Sequence, residues 1–357
     1  MPDHRDHPYQ ALPDHQVWHK AMGSVPPFAV DPVVHVPFTI NRATLVATGG
    51  SCFAQHIGRA LRRNKCSYYV VESAPDWLPA AKHREWNYEI FSARYGNLYS
   101  TRQLLQLFDR AYGTYNPQLT FWQTPAGAYV DPFRPRIQPP GYASVEELTE
   151  DRSRHLAAVR QMFETLDVFV FTLGLTESWE HVPDGAALPL APGVAGGVWQ
   201  RDTYRFRNYS VHEVEQDLLA FIDRLRGVNP DSRIILTVSP VPLAATYMDQ
   251  HVLVSTCFSK SVLRVAANTC AMARDNVVYF PAYEIVTGPH GGGAYYEDDL
   301  RSISEKGVNH VMRTFFRHFL SDDGDASRRG EYEAVRYVAA ELESLEDVIC
   351  DEDFLVR

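Results

Sequence analysis

No stretch of this chain stays apolar long enough to cross a bilayer, and Met1 to His7 are polar with no apolar signal core behind them. A cytoplasmic protein without a membrane span is the expectation. Basic residues are in short supply, with 34 Lys and Arg against 44 Asp and Glu and a formal net charge of −10. Nucleic acid and anionic membrane surfaces would repel such a chain, so neither is an expected partner. Cysteine is scarce too: Cys52, Cys66, Cys257, Cys270 and Cys350. Their odd number and lack of knuckle spacing point to free thiols in a reducing compartment, not a disulfide framework. The 14 histidines are scattered, and no His-x-x-x-His or His/Cys cluster sits on an element with ligand spacing, so no metal is expected. No Walker loop and no Gly-x-Gly-x-x-Gly follows a strand, so no nucleotide cofactor is expected either.

What is present is an ordinary globular composition: 357 residues, 45% hydrophobic and 22% charged. That supports one large core. Residues 1–42 are rich in Pro, His and aromatics and read as an arm wrapping the domain. From there strands alternate with helices. Strands are expected at 43–48, 67–71, 167–173, 233–238 and 277–280. Helices are expected at 53–65, 100–111, 144–166, 210–227, 251–274 and 304–320. Ser100 with Gln103, and Ser144 with Glu147, make capping boxes. Residues 113–143 and 181–209 read as surface excursions inserted in the domain 43–322. Residues 323–357 read as an acidic tail with a helix near 330–345. The fold class is α/β, a three-layer α/β/α sandwich with a mostly parallel sheet.

The most informative stretch is Thr44-Leu45-Val46-Ala47-Thr48-Gly49-Gly50-Ser51-Cys52-Phe53. A β-branched run ends in two glycines, then a hydroxyl, a thiol and a helix. Backbone N–H groups and the helix dipole there favour negative charge, so the Cys52 thiol is expected to ionise easily and act as a nucleophile. A tight turn with a buried cysteine is the plain alternative. Gly174-Leu175-Thr176 and Ser239-Pro240 close two further strands. In parallel sheets ligands bind at the carboxyl ends, so these turns are expected to meet on one edge.

Taken in order, the motifs resemble the GSCFA family, a branch of the SGNH (GDSL-like) hydrolases with a flavodoxin-like sandwich. They run from Gly50-Ser51-Cys52-Phe53-Ala54 through Gly96-Asn97-Leu98-Tyr99-Ser100 and Thr172-Leu173-Gly174-Leu175-Thr176-Glu177 to Val238-Ser239-Pro240. Ser259-Lys260-Ser261, Phe280-Pro281-Ala282 and Asp298-Asp299-Leu300-Arg301-Ser302 complete the series. The resemblance spans roughly residues 40–320. It implies Cys52 at the nucleophile's position, with Ser51 where those enzymes carry Asp. It further implies oxyanion or substrate contacts at Gly96, Asn97, Gly174 and Thr176, and Asp299 as the aspartate of the last motif. Ser302 occupies that motif's histidine position, so the usual base is missing.

His56, one helical turn after Cys52, and His310 on the last core helix are the candidate substitutes. His290, in Pro289-His290-Gly291-Gly292-Gly293, reads more simply as part of a loop. Ser51 is the fallback nucleophile or a helix cap. Glu177 and Ser239 at strand ends, and Lys260, could bind substrate or bias the Cys52 charge. Asp299 could equally pair with Arg301 in a structural role. The function so implied is an esterase or O-acyltransferase acting on acyl esters, of a glycan or glycolipid, through an acyl-enzyme on Cys52. Acyl-CoA would be a co-substrate for a transferase. The alternatives are a catalytically inert SGNH-fold module that binds a glycan or acyl ligand, and a structural partner in a polysaccharide-assembly complex. The oligomeric state is open.

Overall fold

The computed structural model describes residues 7–321 and 348–355. The expected helix near 330–345 lies outside the described residues. The centre is a parallel sheet in the order β1-β4-β8-β9, formed by β1 (Val46–Gly50), β4 (Val168–Leu173), β8 (Arg233–Val238) and β9 (Val277–Tyr279). Val46 pairs with Val168, Val168 with Arg233, and Ile234 with Val277. Side chains of a strand alternate between faces, so a strand covered on both sides must be apolar throughout. The alternation is visible in the packing. Phe169, Phe171, Ile234 and Leu236 face one apolar cluster, while Val168, Val170 and Ile235 face another.

The first cluster is closed by α3 (Thr101–Ala111), α4 (Val145–Thr165), α5 (Val211–Val228) and α6 (Val252–Ala273). The second is closed by α1 (Ala54–Arg63), α7 (Ala282–Thr287) and α8 (Glu305–Phe319). This is the three-layer sandwich. A further single turn, α2 (Ala80–His83), lies on the surface. Ser100 and Gln103 form the expected capping box. At Ser144 only half of it forms: Ser144 Oγ accepts from Glu147 N, while Glu147 Oε2 accepts from Ala143 N. Residues 7–42 run beside α8, where Val30 O and Asp31 bond His310 and His318.

Three expectations change. Residues 67–71 give a single bridge, Val46 with Tyr68, not a strand. Region 113–143 is not a surface loop: it carries a hairpin, β2 (Trp122–Gln123) with β3 (Tyr129–Val130), and buries Trp122, Asp131, Arg134 and Tyr142. Region 181–209 belongs to an antiparallel sheet of β5 (Glu177–His181), β6 (Ala186–Leu188) and β7 (Tyr204–Asn208). Its charged residues had disguised it. Glu180 is buried because Arg205 and Tyr209 both donate to its carboxylate, at 2.7 and 2.9 Å.

Candidate active site

The site begins where β1 stops. Gly50 has φ +126°, and a Cβ there would lie 2.2 Å from Thr172 O, so only glycine fits. Ser51 N donates to Thr172 O at 3.0 Å, and Leu98 N donates to Gly50 O at 2.8 Å. Gly174 N and Leu175 N both donate to Tyr99 O. The turns at Gly50, Gly96–Tyr99 and Gly174 are therefore stitched into one wall, and Cys52 stands on it just before α1.

A second chain segment completes the wall. Val348 to Leu355 packs onto this edge and brings the Cys350 thiol beside Cys52. The Ile349 carbonyl oxygen accepts from Gln55 Nε2 at 2.8 Å and from Asn97 Nδ2 at 3.0 Å. Ile349 N returns a bond to Gln55 Oε1, and Asp351 N donates to Tyr99 OH. Arg301 reaches in from the opposite side, with Nη2 3.4 Å from Cys350 Sγ and 3.1 Å from Glu352, and Nη1 2.7 Å from Asp353. Leu300 beside it has φ +54°, a left-handed conformation uncommon for a side-chain-bearing residue; Arg301 follows it in this turn.

The electrostatics differ from the helix-terminus expectation. Cys52 is held well above the ordinary thiol range by its hydrogen bond to Cys350, by burial and by Glu352. Cys350 is lowered, first by the bond from Cys52 and then, against burial, by Arg301. The guanidinium of Arg301, 3.4 Å from Cys350 Sγ, favours negative charge on Cys350 over Cys52. Lys260 is buried, donates to Gly174 O at 2.7 Å, and is pulled down to about 8 by desolvation. Glu352, also buried, is raised by desolvation.

The other expected residues fall into two groups. Asn97, Gly174 and Lys260 are at the Cys52 wall, as are Gly96 in its left-handed turn (φ +72°) and Ser51. Ser51 Oγ is buried and has no hydrogen-bond partner, and it does not cap α1, whose N-cap is Phe53. Thr176 is buried with its amide bonded to Ser259 Oγ and its hydroxyl to Asn208, so neither is presented to Cys52. Ser239 Oγ accepts from Val241 N. Glu177 binds Thr246 OH and Tyr247 N on the rim. Asp299 is exposed and bonds the Ser302 hydroxyl at 2.6 Å, closing its own turn.

Neither candidate base reaches a thiol. His310 Nδ1 bonds Tyr295 OH and its Nε2 bonds Val30 O, both at 2.7 Å. Burial pulls it down to about 4. His56 packs its ring on Phe53 and is likewise held at about 4 by desolvation, with Arg59 and Arg63 adding to it. His290 stacks against Tyr295 and His310.

Sequence reasoning missed Gln55, Cys350, Glu352 and the inward role of Arg301. Gln55 was within reach, since it lies three residues after Cys52 at the helix start and shares its face. The approach of Cys350 across almost the whole chain left no local signal.

Among the described residues, no helix is long and apolar enough to cross a membrane, and no group of three or more His, Cys, Asp or Glu is arranged to hold a metal. Comparison with curated proteins returns no match. One similar solved structure is an acetyl xylan esterase from the rumen bacterium Butyrivibrio proteoclasticus, at 16% identity and a TM-score of 0.23. The alignment covers 68% of this chain and 56% of that one, so the chain spans little more than half the length of that protein. The sequence model of the GSCFA family matches residues 45–315, from the strand that carries Gly50 to the last core helix, and the chain belongs to the GSCFA family.

Proposed function

We propose that this protein is an ester hydrolase or O-acyltransferase whose nucleophile is Cys52. The observation that carries the reading is the Ile349 carbonyl. It lies between two amide donors, Gln55 Nε2 and Asn97 Nδ2, next to the residue whose thiol bonds Cys52. A site that holds a carbonyl oxygen this way beside a thiol is suited to hold an acyl oxygen as it gains charge. An acyl ester would take the place of residues 349–352.

The chemistry then balances as follows. Cys52 gives its proton to the neutral Lys260 amine, and its sulfur attacks the acyl carbon. The carbonyl oxygen becomes an oxyanion against Gln55 and Asn97. The alkoxide leaves with the proton, and a thioester remains. Water or an acceptor hydroxyl takes the acyl group and frees the thiol. Lys260, at about 8, has the proton affinity suited to that exchange, and its charge with that of Arg301 offsets the anion.

A glycan acceptor suits the rim. Trp179 packs edge-on against Trp199 and Tyr247, with centroids 4.9 and 4.8 Å apart, and Trp199 and Tyr247 are exposed. Tyr247 N also bonds Glu177, so flat apolar faces and a carboxylate adjoin, the two surfaces a sugar ring needs.

A second reading, a binding module without catalysis, is favoured by the absence of any imidazole bonded to either thiol among the described residues. The two are separated by assaying a chromogenic acetate ester and an acetylated oligosaccharide, with and without acyl-CoA, for wild type and Cys52→Ala. Turnover that vanishes in Cys52→Ala supports the enzyme. Saturable binding of the oligosaccharide with no turnover by either protein supports the module.

A further inference from the structure

We propose that Cys52 and Cys350 are the two halves of a reversible disulfide, a modification site formed between the end of the first strand and the end of the chain. Ile349, beside Cys350, exchanges two hydrogen bonds with Gln55, three residues on from Cys52, and both thiols lie in one buried cluster, so the two side chains meet in the same crevice. Arg301 Nη2, 3.4 Å from Cys350 Sγ, favours a thiolate there, and the thiolate is the form that oxidants attack. The other three cysteines offer no such partner. Cys66 Sγ approaches Asn64 O, Cys270 is sealed in the core, and Cys257 is exposed on α6.

Both paired sulfurs are buried beneath residues 348–355. That segment joins no strand, and it is held by side chains of Gln55, Asn97, Tyr99 and Arg301, by the amide of Ala244 and by Arg136 over the Phe354 ring. Those contacts must open for a small oxidant to reach the pair.

The oxidant is a hydroperoxide. The Cys350 thiolate attacks its distal oxygen, the O–O bond breaks, and Cys350 becomes a sulfenic acid while an alcohol or water departs. The Cys52 sulfur then attacks Cys350 Sγ. The S–S bond forms, the S–O bond breaks, and hydroxide leaves with the Cys52 proton as water. Two electrons pass from the two thiols to one peroxide, and a dithiol reductant reverses the change. The bond would join two residues 298 positions apart in sequence and fix residues 349–352 over the crevice. This inference does not depend on the ester chemistry, because it concerns the sulfurs alone.

The test treats the full-length protein with hydrogen peroxide, blocks remaining thiols, and maps unreduced peptides by mass. The expected product links the Cys52 and Cys350 peptides with the loss of two hydrogens. It exceeds oxidised Cys257 about tenfold and disappears with dithiothreitol. In Cys350→Ser no linked product forms and Cys52 stays alkylatable. Wild-type protein in which Cys52 and Cys350 are recovered as separately alkylated or separately over-oxidised residues, or in which either is linked to Cys257, overturns the proposal. The wild-type map decides the matter even if the variant does not fold, and an inactive esterase would leave it unchanged.

Discussion

Arg301 Nη2 stands 3.4 Å from Cys350 Sγ, and Arg301 directly precedes Ser302, the residue read in the sequence as standing in a histidine's place. Beside it, Ser302 turns back to Asp299, so the expected pair exists as a hydrogen bond at the surface while its neighbour points into the crevice. The crevice therefore holds a fixed cation beside Cys350 and, among the described residues, no imidazole bonded to either thiol.

Arg301 also anchors the chain end through Glu352 and Asp353. Arg301→Gln removes that anchor and leaves Glu352 buried without its guanidinium. A loss of about 2 kcal/mol is expected, read as a lower urea midpoint. Iodoacetamide labelling of Cys52 is expected to quicken about tenfold as the cover loosens. Unchanged labelling would mean that the segment is held by other contacts.

Gln55 and Asn97 are assigned the oxyanion. Gln55→Ala and Asn97→Ala are each expected to lower kcat toward an acetate ester about 10²-fold, with a smaller change in KM. Steady-state kinetics on both variants check this. A change confined to KM would make the pair a ground-state binding clamp.

The loop that carries Asn97 rests on buried charges. Arg94 N donates to Glu72, Arg94 Nη1 and Arg134 Nη2 hold Asp151 at 3.0 and 2.6 Å, and His155 bonds Glu72 at 2.8 Å. Burial alone would raise both acids. Burial is the largest single effect, but His155, Arg134 and Arg94 together outweigh it at Glu72, and Arg134, Arg94, Tyr142 and His155 together outweigh it at Asp151, so each sits at about 2. A carboxylate with a depressed folded value gives its stability above the unfolded value and loses it as pH falls through the folded one. Each acid is therefore expected to contribute ~2–3 kcal/mol that disappears between about pH 4.5 and pH 2. Asp151→Asn should flatten that part of a stability-versus-pH curve and destabilise the protein at pH 7, because two arginines lose their partner.

Gly50→Ala tests the backbone of the first motif. Its Cβ would meet Thr172 O at 2.2 Å in a left-handed residue. A loss of about 3 kcal/mol or more is expected in thermal unfolding. A neutral result would show that the β1–β4 junction can shift.

The layers were legible in the sequence because apolar runs such as 168–173 and caps such as Ser100 are local signals. The meeting of Gly50 and Gly174 was also legible, since strand ends of a parallel sheet share an edge; Gly96 was placed there by the family resemblance alone. The antiparallel sheet was not, because Glu180 and Arg205 look like loop residues until their pairing across strands is seen. The charge of Cys52 was misread for a related reason. A helix start favours a thiolate, but Cys350 and Glu352 come from the far end of the chain, and only the fold brings them close enough to raise it.

The most direct measurement is the mass of the Cys52 peptide after brief reaction with a chromogenic acetate ester and acid quench. The account expects one acetyl group on Cys52, formed at the rate of the chromophore burst and absent from Cys52→Ala, which also loses turnover. Acetyl found elsewhere, or turnover that survives Cys52→Ala, would contradict it.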